Sequence, residues 1–309
     1  MKVHRVTLQH FKRFEDRTFS FLDARGLPRD LVVLVGENGC GKSTVLQAIA
    51  ATLGTATGRL SSPGELRWPG FDLKIAGRAW EDLPKVSVSI SLHQDRPHFT
   101  NVVLHGTEVF WEPSAPNMPG PQTESIHWYT EQRSLSSLHL SDLADDTPTP
   151  VTLDLLRARM AQMHAFHGLV LAKRALRKGE RDLYAELEER WGSVFHGRTF
   201  EGISIPNQPE HVLDQPQFFL LDPEGHPYEL GEMSGAERAI FPLLFDFANW
   251  RIDNAVILID ELELHLHPPL QQALLRALPH LGTNNQFIIT THSDHVANLV
   301  DPGAIVRVS

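Results

Sequence analysis

The sequence has a single cysteine, no long apolar run and no excess of positive charge, and each shortage excludes a class of protein. Cys40 has no partner for an internal disulfide, which agrees with a reducing compartment. No stretch approaches the roughly 20 apolar residues that span a bilayer, and the N-terminus alternates where a signal peptide has a continuous apolar block. Acidic residues outnumber basic ones, 38 to 28, so the chain as a whole does not attract a nucleic-acid backbone. We therefore expect a cytoplasmic protein without membrane insertion.

The remaining composition is that of a globular protein. Hydrophobic residues make up 41% of the 309 residues and charged residues 21%, which is enough to bury a sizeable core. Continuous apolar runs predict strands covered on both faces, and they occur in LVVLVG, IHWYT, AVILID and QFIITTHS. Alternating or short runs predict an antiparallel β subdomain, and they occur in VHRVTLQ, KVSVSISLHQ and NVVLHGTEVFW. The chain is thus predicted to have an α/β fold with a mixed sheet.

A helical insertion is predicted between Val151 and Trp191, where leucine and methionine recur at helical spacing among charged residues. It is too short for a long coiled-coil arm. The insertion carries a basic cluster, which indicates either a solvated helix face or a local contact with nucleic acid. The members of this cluster are Arg157, Arg159, Lys173, Arg174, Arg177, Lys178 and Arg181.

A glycine-rich loop follows the apolar strand LVVLVG and precedes a predicted helix, which is the context of a phosphate-binding P-loop. Its glycines allow backbone N–H groups to turn towards phosphate oxygens, and the helix N-terminus adds the positive end of its dipole. Lys42 is predicted to reach the terminal phosphates of ATP, and the hydroxyl of Ser43 to bind Mg²⁺. The predicted ATP-binding residues of this segment are Gly36, Glu37, Asn38, Gly39, Cys40, Gly41, Lys42, Ser43 and Thr44.

An acidic pair, Asp260 and Glu261, ends the apolar strand AVILID. Adjacent side chains on a strand point in opposite directions, and sheets of this kind bind ligands at the carboxyl ends of their strands. Asp260 is predicted to bind Mg²⁺, directly or through a water molecule. Glu261 is predicted to be the general base that orients and deprotonates the water attacking the γ-phosphate.

Five motifs occur along the chain in the order VTLQHFKRFED, GENGCGKST, MSGAER, VILIDELELHLHP and ITTHS. In this order they resemble the ABC-type ATPase superfamily, in the branch that holds SMC proteins, RecF-like proteins and the ATPase domains of OLD-family nucleases. The resemblance covers nearly the whole length and implies a single P-loop NTPase domain over 1–309. Within it we expect an N-terminal lobe with the antiparallel subdomain at 1–133, the helical insertion at 134–212 and a C-terminal lobe at 213–309.

The resemblance also implies an ATP-dependent homodimer. In the superfamily a signature motif from one subunit completes the ATP site of the other, which assigns a role in trans to Ser234, Gly235, Ala236 and Glu237. Ser234 and Glu237 are in addition spaced as a capping box at the start of a helix. Ala236 stands where the superfamily has glycine, and its methyl group occupies space where backbone approaches phosphate. We therefore expect weaker or slower closing of the dimer.

Further site residues follow from the same resemblance. His292 matches the switch histidine, which contacts the γ-phosphate and helps to position the attacking water. The glutamine that binds Mg²⁺ is either Gln132 or Gln94, and Gln132 is preferred because it immediately precedes the helical segment. Lys12 and Arg13 are expected to approach the nucleotide from the first hairpin.

Glu263, His265 and His267 alternate directly after the acidic pair. This spacing matches the ELHLHP turn of the family branch, which lies at the dimer interface, better than it matches a transition-metal site. We therefore expect these three residues at an interface.

The motifs favour an ATPase of DNA metabolism or anti-phage defence that converts ATP-driven closing of a dimer into control of DNA or of a separate effector protein. No recognisable nuclease segment follows the ATPase motifs, so DNA chemistry is expected to come from another polypeptide. Two alternatives stay open. One is the ATPase subunit of a membrane transporter, and the other is a nucleotide-sensing interaction module with little hydrolysis.

Overall fold

The computed structural model describes residues 1–73, 87–93, 100–113, 125–131, 152–173, 175–204 and 216–309. Its strands and helices in chain order are β1 (Lys2–Phe11), β2 (Phe14–Ser20), β3 (Leu31–Val35), α1 (Lys42–Ala56), β4 (Ser87–His93), β5 (Thr100–His105), β6 (Glu108–Pro113), β7 (Ile126–Tyr129), α2 (Leu153–Leu171), α3 (Leu183–Val194), β8 (Thr199–Ser204), β9 (Gln217–Leu221), β10 (Pro227–Glu229), α4 (Gly235–Trp250), β11 (Val256–Ile259), α5 (Pro268–Ala277), β12 (Gln286–Thr291), α6 (Asp294–Leu299) and β13 (Ile305–Arg307).

These elements form two compact units. The first unit comprises Met1–Glu131, Ile252–Glu263 and Leu278–Ser309, and the second comprises Gln132–Arg251 and Leu264–Ala277. The predicted helical insertion contributes α2 and α3 to the second unit. The division of the chain at 1–133, 134–212 and 213–309 stays a prediction.

The first unit contains the predicted antiparallel subdomain as a five-stranded sheet in the order β2-β1-β4-β5-β6. Alternate residues of its strands are fully buried, for example Val6 and Leu8 on β1 and Val88 and Ile90 on β4. Because side chains on a strand alternate between faces, this pattern covers one face of the sheet. The buried face belongs to a single hydrophobic cluster that also includes apolar residues of α1.

The first unit also contains a parallel sheet in the order β13-β3-β12-β11-β7. Every residue of β11 and β12 is buried, as expected for central strands covered on both faces. The predicted P-loop follows β3, the acidic pair follows β11 and His292 follows β12. Since these strands are parallel, all three segments leave the same, carboxyl edge of the sheet.

The second unit is built from α2, α3, α4 and α5 together with the antiparallel strands β8, β9 and β10. Aromatic rings fill its core: Trp191 is fully buried and lies against Phe195, Phe200 and Phe241. The predicted capping box is confirmed, because the hydroxyl of Ser234 accepts from the backbone N of Glu237 and the Glu237 carboxylate accepts from the backbone N of Ser234. Helix α4 therefore begins directly at the signature motif.

The helices that the structure describes do not include one with both the length and the apolar character needed to cross a membrane.

Candidate functional site

The predicted P-loop joins β3 to α1 with a backbone suited to an anion. Gly39 and Gly41 have φ values of 77° and 101°, in the left-handed region that favours glycine. Gly41 is the N-cap of α1, and no side chain within the described ranges caps this helix, so the N–H groups of its first turn are suited to bind an anion. Glu37, Asn38 and Gly39 are exposed. The loop therefore fits a phosphate group.

Lys42 lies almost entirely inside this loop, with 7% of its surface exposed. Its ammonium group donates to the carbonyl oxygens of Gly36 and Glu37, at 2.8 and 2.9 Å. Neutral carbonyl oxygens orient the ammonium without cancelling its charge. The positive charge of Lys42 is thus held at the loop, where phosphate oxygens would be its stronger partners.

Asp260 links the P-loop to the end of β11. Its Oδ1 accepts from the hydroxyl of Ser43 at 2.9 Å and from the hydroxyl of Thr290 at 2.5 Å, while Oδ2 lies 3.4 Å from the indole nitrogen of Trp68. The residue is 1% exposed. A hydroxyl and a carboxylate side by side are the oxygen ligands that Mg²⁺ prefers. Ser43 and Asp260 therefore fit the predicted Mg²⁺ site.

Glu261 occupies a strained turn beside Asp260. Its φ is 46°, which is uncommon for a residue other than glycine. The turn is held from β12, because the hydroxyl of Thr290 accepts from the backbone N of Glu261 at 2.8 Å. Backbone strain of this kind clusters at active sites, where the surrounding structure enforces it. The structure thus places Glu261 at the carboxyl edge of the sheet, as predicted.

His292 is held by Glu263 at the end of β12. The backbone N and the Nδ1 of His292 both lie within hydrogen-bond distance of the same oxygen, Oε1 of Glu263, at 2.7 and 2.8 Å. The side chain of Glu263 is 7% exposed, whereas that of His292 is 43% exposed. The imidazole is therefore anchored on one side and accessible on the other.

The structure separates Glu263 from the two histidines with which its spacing grouped it. His265 and His267 are exposed, whereas Glu263 is buried against His292. The Cβ of His265 lies 3.9 Å from the position that a Cβ on Gly235 would occupy. His265 of the ELHLHP turn thus lies beside Gly235 of the signature motif within the second unit. The interface role of this turn stays a prediction.

The first hairpin brings Arg13 but not Lys12 to the P-loop. The guanidinium of Arg13 donates to the carbonyl oxygen of Gly39. The ammonium of Lys12 instead donates to Gln47 of α1 and to the carbonyl oxygen of Gly70, at 2.6 and 2.7 Å. Burial lowers the pKa of Lys12. Of these two basic residues, Arg13 is therefore the one in contact with the predicted phosphate loop.

The signature motif of the second unit presents an exposed tip on a buried base. Ser234 and Gly235 are exposed and Ala236 is half-buried, whereas Glu237 is 2% exposed. The carboxylate of Glu237 accepts from the hydroxyl of Tyr228 and from Arg198. Burial, followed by the bond to Glu237, raises the pKa of Tyr228. In this structure Glu237 is therefore a buried residue that holds the motif through its hydrogen bonds, and its side chain does not face solvent.

Two further predictions of function concern the Mg²⁺-binding glutamine and the basic cluster. Gln132 and Gln94, the two candidates for the Mg²⁺-binding glutamine, lie outside the described residues, as does Arg174 of the basic cluster.

Within the basic cluster, Arg157 pairs with Glu229 and with Asp154. Arg159 donates to Gln162 and Asn249, and Arg181 pairs with Glu186. These three arginines therefore stabilise the second unit, while Lys173, Arg177 and Lys178 are exposed.

Thr290 and Glu263 are site residues that sequence reasoning missed. Thr290 is fully buried and bonds to both members of the acidic pair, and the sign of it in the sequence is a pair of threonines directly after the apolar run FII. Glu263 was named only for its spacing. No local pattern shows that its carboxylate lies against His292.

Replacement of Thr290 by valine is expected to destabilise the protein by about 1–3 kcal/mol, because valine keeps the shape but removes one hydrogen bond from the Asp260 carboxylate and one from the backbone N of Glu261. Denaturant unfolding measures this change. Thr52→Val on α1 is the matched control, because its hydroxyl is fully buried and has no hydrogen-bond partner among the described residues. A free energy of unfolding for Thr290→Val equal to that of the control would contradict the bridging function.

Comparisons with known protein families agree with this geometry. The family described as "AAA domain, putative AbiEii toxin, Type IV TA system" matches residues 121–298, which is more than half of the chain. A second AAA domain model matches residues 5–139. The chain therefore belongs to this family of AAA domains and is a P-loop NTPase.

Among curated proteins, the chain is 49% identical over 285 residues to "Septu protein PtuA" of Bacillus thuringiensis, covering 86% of this chain and 67% of PtuA. It is 22% identical over 384 residues to "Retron Ec83 probable ATPase" of Escherichia coli, covering 97% of this chain and 70% of that protein. It is 24% identical over 309 residues to "Protein ea59" of phage lambda, covering 96% of this chain and 52% of ea59. These relatives are longer than the part of them that the chain matches.

Among solved structures, the SMC head bound to the C-terminal winged-helix domain of ScpA aligns with a TM-score of 0.58 at 16% identity, over 97% of this chain and 92% of that chain. The SMC head with an extended coiled coil from Pyrococcus furiosus aligns with a TM-score of 0.56 at 14% identity, over the same shares. The predicted resemblance to SMC-type ATPases and the predicted α/β fold class are thereby confirmed.

Proposed function

We propose that the chain binds and hydrolyses ATP with Mg²⁺ at the carboxyl edge of its parallel sheet. The observation that carries the proposal is the hydrogen bond between Ser43 of the P-loop and Asp260 directly after β11, which brings two of the predicted Mg²⁺ ligands together across 217 residues of sequence. Membership in a family of P-loop ATPases supports it.

Each side chain of the site has a distinct part in this reaction. The P-loop backbone and Lys42 bind the phosphates, and Arg13 supports the loop at Gly39. Ser43 and Asp260 hold Mg²⁺, which when bound neutralises charge on the terminal phosphates. Glu261 accepts the proton of the attacking water, and His292 contacts the γ-phosphate with its exposed ring edge.

The ATP sites are completed in trans by a second copy of the chain. Ser234 and Gly235 form an exposed helix start, whereas the carboxylate of Glu237 is buried and accepts from the backbone N of Ser234, from Tyr228 and from Arg198. Such a helix start favours the γ-phosphate bound by another subunit. ATP therefore joins two chains head to tail, and hydrolysis releases them.

The dimer acts on a separate effector protein or on DNA, in anti-phage defence or DNA metabolism. Similarity to proteins named for the Septu and retron systems supports a function in anti-phage defence. A nucleotide-sensing module with little hydrolysis is the second candidate, and the observation in its favour is Ala236 in place of glycine. Steady-state phosphate release with and without Mg²⁺ separates the two, because a sensor binds ATP with no appreciable release.

Mixing two inactive variants is expected to restore ATPase activity if the signature acts in trans. Lys42→Ala damages the P-loop, and Ser234→Arg places a bulky cation at the exposed signature. In a mixed dimer one composite site collects both defects and the other is intact. Random pairing then predicts about a quarter of wild-type turnover, provided that one site suffices.

Two controls belong to this mixing experiment. Thermal unfolding of Ser234→Arg is needed because arginine removes an N-cap worth about 1 kcal/mol. Light scattering with ATP is expected to show a dimer for the mixture. A mixture that stays inactive, together with no ATP-dependent change of mass, would rule out the trans arrangement.

A further inference from the structure

A buried carboxylate outside the predicted machinery touches one of its members. Glu263 is 8% exposed, and its Oε1 faces both the backbone N and the Nδ1 of His292. Its Oε2 is buried without a hydrogen-bond partner among the described residues. Burying a carboxylate oxygen without a protein partner costs stability, because the oxygen loses hydration. Stability alone therefore does not account for a glutamate at this position, whereas the contact with His292 does.

The geometry decides which ring nitrogen carries the proton. Oε1 already accepts from the backbone N–H of His292, so it is an acceptor for the ring as well. Nδ1 must then be the donor, at 2.8 Å. With Nδ1–H committed to Glu263, the other nitrogen, Nε2, is the ring atom left to face solvent, in keeping with the 43% exposure of the side chain.

We propose that Glu263 is a positioning residue, which fixes His292 in the Nδ1–H form and orients its Nε2 towards the γ-phosphate. The two contacts on one oxygen fix both the backbone and the ring of His292, so that rotation of the imidazole breaks its bond to Glu263. Carboxylates act in the same way on histidines of metal sites and catalytic triads, where they set the tautomer. The phosphate-facing part of this inference rests on the proposed function, whereas the tautomer does not.

Nitrogen-15 NMR of the histidine side chains tests the tautomer directly. At a pH where His292 is neutral, wild-type protein is expected to show a protonated Nδ1 and an unprotonated Nε2, with the signal assigned by its loss in His292→Gln. In Glu263→Leu the ring is expected to exchange between both forms. The signals of His265 and His267, which are exposed, provide the internal control. A wild-type Nε2–H form would overturn the proposal without any variant.

Turnover provides the functional readout. Glu263→Leu is expected to lower kcat about ten- to a hundredfold, as loss of such supporting residues typically does, with little change in ATP affinity. Glu263→Gln keeps an oxygen acceptor, so it is expected to keep the tautomer and to lose less activity; it also serves if the leucine variant does not fold. The double variant with His292→Gln is expected to be no slower than His292→Gln alone.

The outcomes separate this inference from the proposed function. If wild-type protein releases phosphate while the His292 tautomer is independent of Glu263, positioning is wrong and ATP hydrolysis stands. If Nδ1–H depends on Glu263 but no phosphate is released, the contact is real and the hydrolytic function is wrong. Additive losses of kcat in the double variant would show that Glu263 acts by a route other than His292.

Discussion

Replacement of Lys42 by alanine is expected to weaken ATP binding at least about a hundredfold. Its ammonium is already located inside the P-loop by the carbonyl oxygens of Gly36 and Glu37, so a phosphate finds the charge in place. The variant loses the charged hydrogen bonds from this ammonium to the phosphate oxygens of ATP. Two such bonds, at about 1.5–3 kcal/mol each, contribute at least about 3 kcal/mol to binding. Calorimetric titration with a non-hydrolysable ATP analogue measures the difference.

Two variants control this experiment. Lys178→Ala removes the same side chain from an exposed position of the second unit and is expected to leave affinity unchanged. Lys42→Arg keeps the charge but not the compact geometry of the ammonium, and an intermediate affinity is expected. Since Lys42 also bonds to the loop, thermal unfolding of each variant shows whether the fold is intact. Wild-type affinity in folded Lys42→Ala would refute the phosphate-binding function of this loop.

The parts of the site that could be predicted from sequence are those that a short segment determines by itself. The P-loop needs left-handed backbone at Gly39 and Gly41, with a buried strand before the loop and a helix after it. Each of these requirements is indicated by a few consecutive residues of the sequence. The capping box of Ser234 and Glu237 is equally local. These features were found correctly because no distant contact was needed to specify them.

Contacts that depend on strand register could not be predicted. Ile259 of β11 pairs with Ile289 of β12, and this register sets Thr290 beside Asp260. Both strands are buried throughout and neither alternates between apolar and polar residues, so the sequence does not indicate how they align. The same strand pairing underlies the approach of Glu263 to His292, 29 residues apart. The sequence contains these residues, but it does not show that they lie in contact.

The function of the basic cluster could not be predicted either, because some partners of its arginines lie far away in the sequence. The basic cluster of the insertion was open to a solvated face or a nucleic-acid contact, and its sequence gives no sign that Arg157 meets Glu229, 72 residues away. The bidentate contact, at 2.8 and 2.7 Å, assigns Arg157 to the architecture of the second unit. A nucleic-acid surface in this region would therefore depend on Lys173, Arg177 and Lys178, which are exposed.

Glu261→Gln is expected to retain ATP binding and to lower turnover about a hundred- to ten-thousand-fold. The amide has the shape of the carboxylate but cannot take the proton of the attacking water. Backbone effects are matched, because glutamine at a φ of 46° is under the same strain as glutamate, and the bond from the backbone N to Thr290 is unchanged. Loss of turnover would therefore report on the missing base and not on the fold.

Phosphate release and light scattering together test this expectation, because a chain that binds ATP without hydrolysing it accumulates as an ATP-bound dimer. Glu108→Gln, an exposed charge on β6 of the same unit, is the matched control and is expected to turn over like wild-type protein. Asp260→Asn is the contrasting variant: it removes a proposed Mg²⁺ ligand, so it should lose the Mg²⁺ dependence of binding as well as turnover. If Glu261→Gln releases phosphate at the wild-type rate, the general base must be another residue. If it behaves like Asp260→Asn, the two carboxylates share the metal and their proposed division of labour is wrong.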